Sequence, residues 1–131
     1  MKRDMDLIRE LMIKLESLPL RQGGIAHILP DSEEMAVAGK TPHEIEFHLG
    51  LLTDAGFIDE GGVRPMEGIG FRKLTWRGND FLDSVRDPVI WHETKEGLKK
   101  AGGFSVDLLI ALGKGLIKRK IEQHTGIKLE L

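Results

Sequence analysis

Residues 40–58, KTPHEIEFHLGLLTDAGFI, read as one capped helix running into a strand. Thr41 is a good N-cap. Pro42 suits the first helical position, and Glu44 stands where it completes a capping box. At about 100° per residue, Ile45, Leu49 and Leu52 form the inward centre, with His48 and Ala55 beside it. Gly56 stands where a left-handed C-cap belongs, with Phe57 folding back over the last turn. The outward arc is His43, Glu46, Gly50, Thr53 and Asp54, with Phe47 and Leu51 on its shoulder. No Lys or Arg occurs between residues 42 and 55.

Upstream, residues 4–18 predict an amphipathic first helix. Leu7, Leu11, Leu15 and Leu18 lie on one stripe with Ile8 and Met12, Asp4 and Asp6 sit at the positive end, and Pro19 marks the exit. GGIAHILP predicts a short strand, and residues 30–40 read either as a short helix opening at Asp31 or Ser32 or as a loop. Downstream, residues 57–76 predict two strands around a loop punctuated by Gly61, Gly62, Gly68 and Gly70, the shape of a wing. A short helix then packs through Phe81, Leu82 and Val85 and is broken by Pro88. A further helix presents Trp91, Thr94 and Leu98, and a last one is capped by Ser105 and ended by Gly126.

The chain has 131 residues, 40% hydrophobic and 31% charged, enough to close a core without disulfides. It contains no cysteine, which excludes disulfides, thiol nucleophiles and cysteine zinc sites. Nineteen basic against 21 acidic residues give a net charge of −2, unlike a non-specific nucleic-acid coat. The N-terminal stretch lacks the apolar core of a secretory signal, and no apolar run is long enough to span a bilayer, so a cytoplasmic protein without a membrane partner is expected.

The order helix, short strand, capped helix, hairpin, helix resembles a winged helix-turn-helix domain. HLGLLTDAGFI looks like the helix-to-wing junction of many bacterial winged-helix regulators. MKRDMDLIRELM, EIEFHLGLLTDAGFI and KLTWRGNDFLDSVRD followed by VIW together resemble a family of small proteins from bacteria and their prophages, a domain of unknown function, over roughly residues 1–100. That resemblance implies fold and prophage association and carries over no functional residue. The general winged-helix pattern implies that residues 42–55 are the recognition helix. The chain departs from it twice, in the weak second helix at 30–40 and in carboxylates where Arg or Lys would face DNA.

HEIEFH approaches the zinc-protease signature but misses it. His43 and His48 stand five positions apart, about 140° around a helix, so they do not share a metal from one face. Gly113-Lys114-Gly115 is no phosphate loop, because it sits inside an apolar-periodic helix. Its glycines point to a close helix–helix approach, with a kink or a tolerated weakness as the alternatives. Val106, Leu109, Ile110, Leu116, Ile117 and Ile121 make that helix apolar over a wide arc, with Leu108 and Leu112 standing off it. Trp76 and Trp91 read as core residues rather than base-stacking platforms. No catalytic constellation, metal set or cofactor motif is legible, and a non-enzyme is expected.

These readings give an α+β winged-helix-like domain over residues 1–101 and a C-terminal helix over 102–131 that packs back or mediates self-association. The leading expectation is a small DNA-binding or regulatory protein. Arg64, Arg72, Lys73 and Arg77 around the wing and Lys118, Arg119 and Lys120 near the C-terminus are its phosphate-contact candidates. The alternative is a protein-interaction adaptor or inhibitor that uses His43, Glu46, Phe47, Thr53 and Asp54 against a basic partner. Candidate partners are therefore duplex DNA, a basic protein and a second copy of the chain.

Overall fold

The computed structural model describes residues 1–100, 102 and 105–130. They are mixed α and β, with five α-helices and short antiparallel strand pairs among the described residues. The chain divides into two compact units, residues 1–79 and 80–131, and the division falls inside the third helix. The domain boundary expected at 101/102 adjoins Ala101, which lies outside the described residues.

In the first unit, α1 (Met5–Glu16) is N-capped by Asp4. One carboxylate oxygen of Asp4 accepts from the amides of Asp6 at 3.0 Å and Leu7 at 3.2 Å, pairing two of the donors that a helix start leaves open. Met5, Leu7, Ile8, Leu11, Met12 and Leu15 are buried, while Leu18 lies beyond the helix and is half-buried. The ambiguous segment after β1 (Ala26–Ile28) resolves as one 3-10 turn, Glu33–Met35. It packs against α1 and carries Met35 into the core.

Helix α2 (Pro42–Asp54) has the expected ends. Thr41 Oγ1 accepts from the Glu44 amide at 3.2 Å. The return half of the capping box differs: the Glu44 carboxylate accepts from the Thr41 hydroxyl at 3.4 Å, not from its amide, and stands 3.9 Å from Lys40. At the other end Gly56 adopts φ +73°. The Phe57 amide donates to Leu52 O and the Gly56 amide to Thr53 O, each at 3.0 Å, the two bonds of a Schellman motif. Leu52 and Phe57, its apolar pair, are both buried.

The segment expected to form a wing, residues 57–76, holds three short strands where two were expected: β2 (Ile58–Asp59), β3 (Ile69–Phe71) and β4 (Lys73–Leu74). Only Arg72 separates β3 from β4. The first half of this segment pairs with β1, Ile28 opposite Ile69, and the second half with β2, Ile58 opposite Leu74. The Arg72 amide donates to Asp59 O at 2.8 Å, so the switch of partners leaves that donor satisfied.

Helix α3 (Trp76–Val85) opens at Thr75, whose Oγ1 accepts from the Gly78 amide at 3.0 Å. A Cβ on Gly78 would stand 2.1 Å from Phe57 O, so glycine permits this close approach. Trp76 corrects the core expectation: it is 90% exposed. Gly78 occupies the inward side of the first turn, and Trp76 faces out.

In the second unit, Phe81, Leu82 and Val85 are fully buried, as their spacing predicts. Pro88 does more than break a helix. It is the first residue of α4 (Pro88–Lys100), whose Val89 and Ile90 amides donate to Asp87 Oδ1 at 2.8 and 3.1 Å. Ile90, Trp91, Thr94 and Leu98 form the buried face. Helix α5 (Val106–Thr125) packs against α4 and ends at Gly126, φ +70°. Ser105 flanks its start without the side-chain cap bond expected of it. A Cβ on Gly113 would lie 2.4 Å from Ser84 O, while one on Gly115 would meet nothing within 4 Å. The close approach expected of these glycines therefore holds at Gly113 and not at Gly115.

Candidate functional site

The outward face of α2 meets the hairpin loop. Glu46 Oε1 accepts from the Gly68 amide at 3.4 Å, which ties the middle of the helix to the start of β3. His27 fastens the same loop from the other side, with Nε2 2.7 Å from Glu67 O. Between helix and hairpin runs a groove of about 190 Å³ lined by residues including Gly50, Thr53, Asp54, Glu60, Val63 and Gly68. Asp54 is exposed and makes no hydrogen bond or ion pair with a described residue. Thr53 Oγ1 is buried and has no hydrogen-bond partner among the described residues. Around the groove the hairpin tip exposes two apolar side chains, Val63 at 41% and Met66 fully, beside the exposed Arg64 and Glu67.

His48, read in sequence as a flank of the inward stripe, is fully inside. Its Nε2 accepts the Asp4 amide at 2.8 Å, and its Nδ1 lies 2.7 Å from Glu44 O. An amide only donates, so Nε2 is unprotonated and Nδ1 carries the hydrogen given to Glu44 O. Both nitrogens are thereby committed. His43 is exposed, and Phe47 is half-buried with its ring edge-on to His48 at 5.3 Å. Of the protein-contact candidates, Thr53 and Asp54 meet at the groove, Glu46 borders it through Gly68, and His43 and Phe47 are not among its lining residues.

The phosphate-contact candidates are largely committed within the chain. Arg64 pairs with Glu60 at 3.1 Å. Arg72 grips Asp59 through Nε at 3.0 Å and again through Nη2. The Gly61 amide and the Arg72 guanidinium together hold the Asp59 carboxyl below its ordinary pKa. Arg77 donates to Ala55 O at 3.2 Å and lies 5.6 Å above the Phe57 ring. Lys120 pairs with Asp87 at 3.0 Å, and the Ile90 amide and Lys120 hold that carboxyl low. Lys73 stands opposite Asp59 without closing to an ion pair. Lys118 and Arg119 make no ion pair with a described residue. Sequence alone shows the local balance of charge but not the pairings of Arg72 with Asp59 and Lys120 with Asp87, because these depend on strand register and helix approach.

Charge separates the two units. Residues 1–79 hold 10 basic and 13 acidic side chains, a net −3, and residues 80–131 hold 9 and 8, a net +1. No helix among the described residues is long and apolar enough to cross a membrane. The groove itself escaped sequence reading. Its one local signal was Gly50, a glycine in the middle of an otherwise well-formed helix.

This arrangement defines a small α+β protein with a helix–hairpin surface. The chain belongs to the hypothetical-protein family DUF2513, whose model matches residues 2–105. It is also similar to an uncharacterized protein of Haemophilus influenzae, 32% identical over 125 residues, which cover 92% of this chain and 99% of that one. No solved structure matches it.

Proposed function

We propose that residues 1–79 form a winged helix that works as a regulatory module through protein contact, with the α2–hairpin face as its docking surface. The order α1, β1, α2, hairpin, with β1 joining the returning strand, supports the winged-helix reading. The observation that carries the functional reading is the fate of α2. Its outward face lacks cations, and Glu46 is bound to the hairpin where a recognition helix would need to be free. Carboxylates set against phosphates would be repelled and dehydrated without recompense. The exposed Val63 and Met66 beside the groove suit a protein surface. The chain self-associates through α5, whose Leu108 and Ile121 are 58% and 42% exposed.

Duplex DNA is the second reading, favoured by the exposed Trp76 and by Lys118 and Arg119, which form no ion pair with a described residue. Fluorescence anisotropy with mixed-sequence duplex over a salt series separates the two. The first reading expects only weak binding, with a dissociation constant in the non-specific range of about 10⁻⁴ to 10⁻⁶ M. Nanomolar, steeply salt-dependent binding would establish the second.

A further inference from the structure

We propose that His48 is an acid-operated latch: a proton added to its ring releases the first turn of α1 from α2. The inference is independent of what the protein contacts. His48 is 2% exposed, and both ring nitrogens are in use. Nε2 accepts the Asp4 amide at 2.8 Å, and Nδ1 lies 2.7 Å from Glu44 O. An amide only donates and a carbonyl only accepts, so the two bonds coexist only with the neutral ring. Asp4 is the N-cap of α1, and an N-cap amide has no acceptor within its own helix. The ring supplies that acceptor from 44 residues away. A proton on Nε2 replaces this bond with two N–H groups that face each other. His48 lies inside the fold, where an unpaired donor is costly.

The charged groups at this corner are Asp4 and Asp6 at the start of α1, Lys40 ahead of α2, and Glu44 one turn before His48. Lys40 Nζ lies 2.9 Å from Asp4 Oδ2 and 3.9 Å from Glu44 Oε2. Three carboxylates thus stand against one ammonium, so an imidazolium formed here meets compensating charge. The Asp4 carboxylate is already engaged, by the amides of Asp6 and Leu7 and by Lys40. Anchoring decides which side yields. Ile45, Leu49 and Leu52 hold α2 in the core, whereas residues 1–3, ahead of Asp4, are exposed. Asp4 and Met5 therefore move away from α2, and the buried Leu7 and Ile8 keep the rest of α1 in place. Histidine ordinarily titrates between about pH 5 and 8. The Asp4, Asp59 and Asp87 carboxyls are held below 3.8, so their response falls in a separate, more acid range.

The test is NMR of the full chain from about pH 7.5 to about pH 5, the span of ordinary histidine titration. Ring nitrogen shifts follow the protonation of His48. Amide hydrogen exchange, corrected for its intrinsic pH dependence, follows the bond to Asp4. As the ring takes up its proton, protection of the Asp4 amide should fall about tenfold, the loss of one hydrogen bond. The accompanying shifts should be confined to residues 1–8 and 40–48, with the amides of β1–β4 unmoved. His48→Gln offers the amide an oxygen acceptor and no titrating group, so it should keep Asp4 protected across the range. Asp4→Asn keeps a capping oxygen and removes the nearest carboxyl, so it should retain the response. A ring still neutral at the acid end, or constant Asp4 protection while the ring protonates, would overturn the latch. So would a response that persists in His48→Gln or vanishes in Asp4→Asn. Simultaneous loss of protection throughout the core would overturn it as well, because that is global unfolding rather than release of one turn.

Discussion

His48 Nε2 accepts the backbone amide of Asp4 at 2.8 Å across 44 residues of chain. One buried ring thus joins the start of α1 to the middle of α2, while its Nδ1 bonds its own helix at Glu44 O. Long-range proton–nitrogen spectra should find His48 as the Nδ1–H tautomer alone. His48→Ala should destabilise the fold by about 2–4 kcal/mol, from two lost hydrogen bonds and a cavity. An Nε2–H tautomer would contradict the geometry.

Asp4 adds an acid-sensitive element at the same corner. Burial pushes its carboxyl pKa up, but the Lys40 ammonium at 2.9 Å and the amides of Leu7 and Asp6 outweigh that and hold it below the ordinary 3.8. A lowered folded pKa means stability fully present above the unfolded value and lost as pH falls through the folded one. Asp59 and Asp87 are shifted the same way. Urea denaturation should therefore show stability declining below about pH 4. Asp4→Ala should cost about 1 kcal/mol at neutral pH as a lost N-cap, and the gap from wild type should narrow at pH 3. A gap constant across that range would count against the ion pair.

Gly113 and Gly115 make a paired test within α5. A Cβ at Gly113 would sit 2.4 Å from Ser84 O, whereas one at Gly115 meets open space. Gly113→Ala should destabilise by about 1–3 kcal/mol through overpacking. Gly115→Ala should stabilise by up to about 1 kcal/mol through helix propensity. Equal effects in thermal unfolding would mean that the approach to Ser84 is looser than described.

Self-association should depend on the open side of α5. Only Leu109 and Gly113 of this helix are buried, and Leu108 and Ile121 are exposed. Light scattering at high micromolar concentration should give a dimer or larger for wild type and a smaller species for Leu108→Asp with Ile121→Asp. A monomeric wild type would remove α5 as an interface.

Local chemistry was legible where it acts within a few residues. Thr41, Pro42 and Gly56 announce both ends of α2, and apolar spacing announces the buried faces of α1 and α3. What stayed hidden depends on distant partners. The division of one strand at Arg72 between β1 and β2 has no local signature, nor does the seat of His48 against Asp4. Trp76 and Trp91 look alike in sequence, yet one is 90% exposed and the other buried, because the approach of Gly78 to Phe57 O decides which side of the first turn of α3 faces inward. The cations of the hairpin read as free until register sets Arg72 beside Asp59. Gly50 interrupts α2 where a Cβ would meet nothing within 4 Å among the described residues.

The most direct test of the claim that α2 does not read bases is amide shift mapping of the full chain with a mixed-sequence duplex at low salt. Any shifts should concentrate near Lys73, Trp76, Lys118 and Arg119, with residues 42–54 unmoved and Glu46→Ala leaving base preference unchanged. Dominant shifts at His43, Glu46 and Gly50, with a base preference that Glu46→Ala alters, would contradict it.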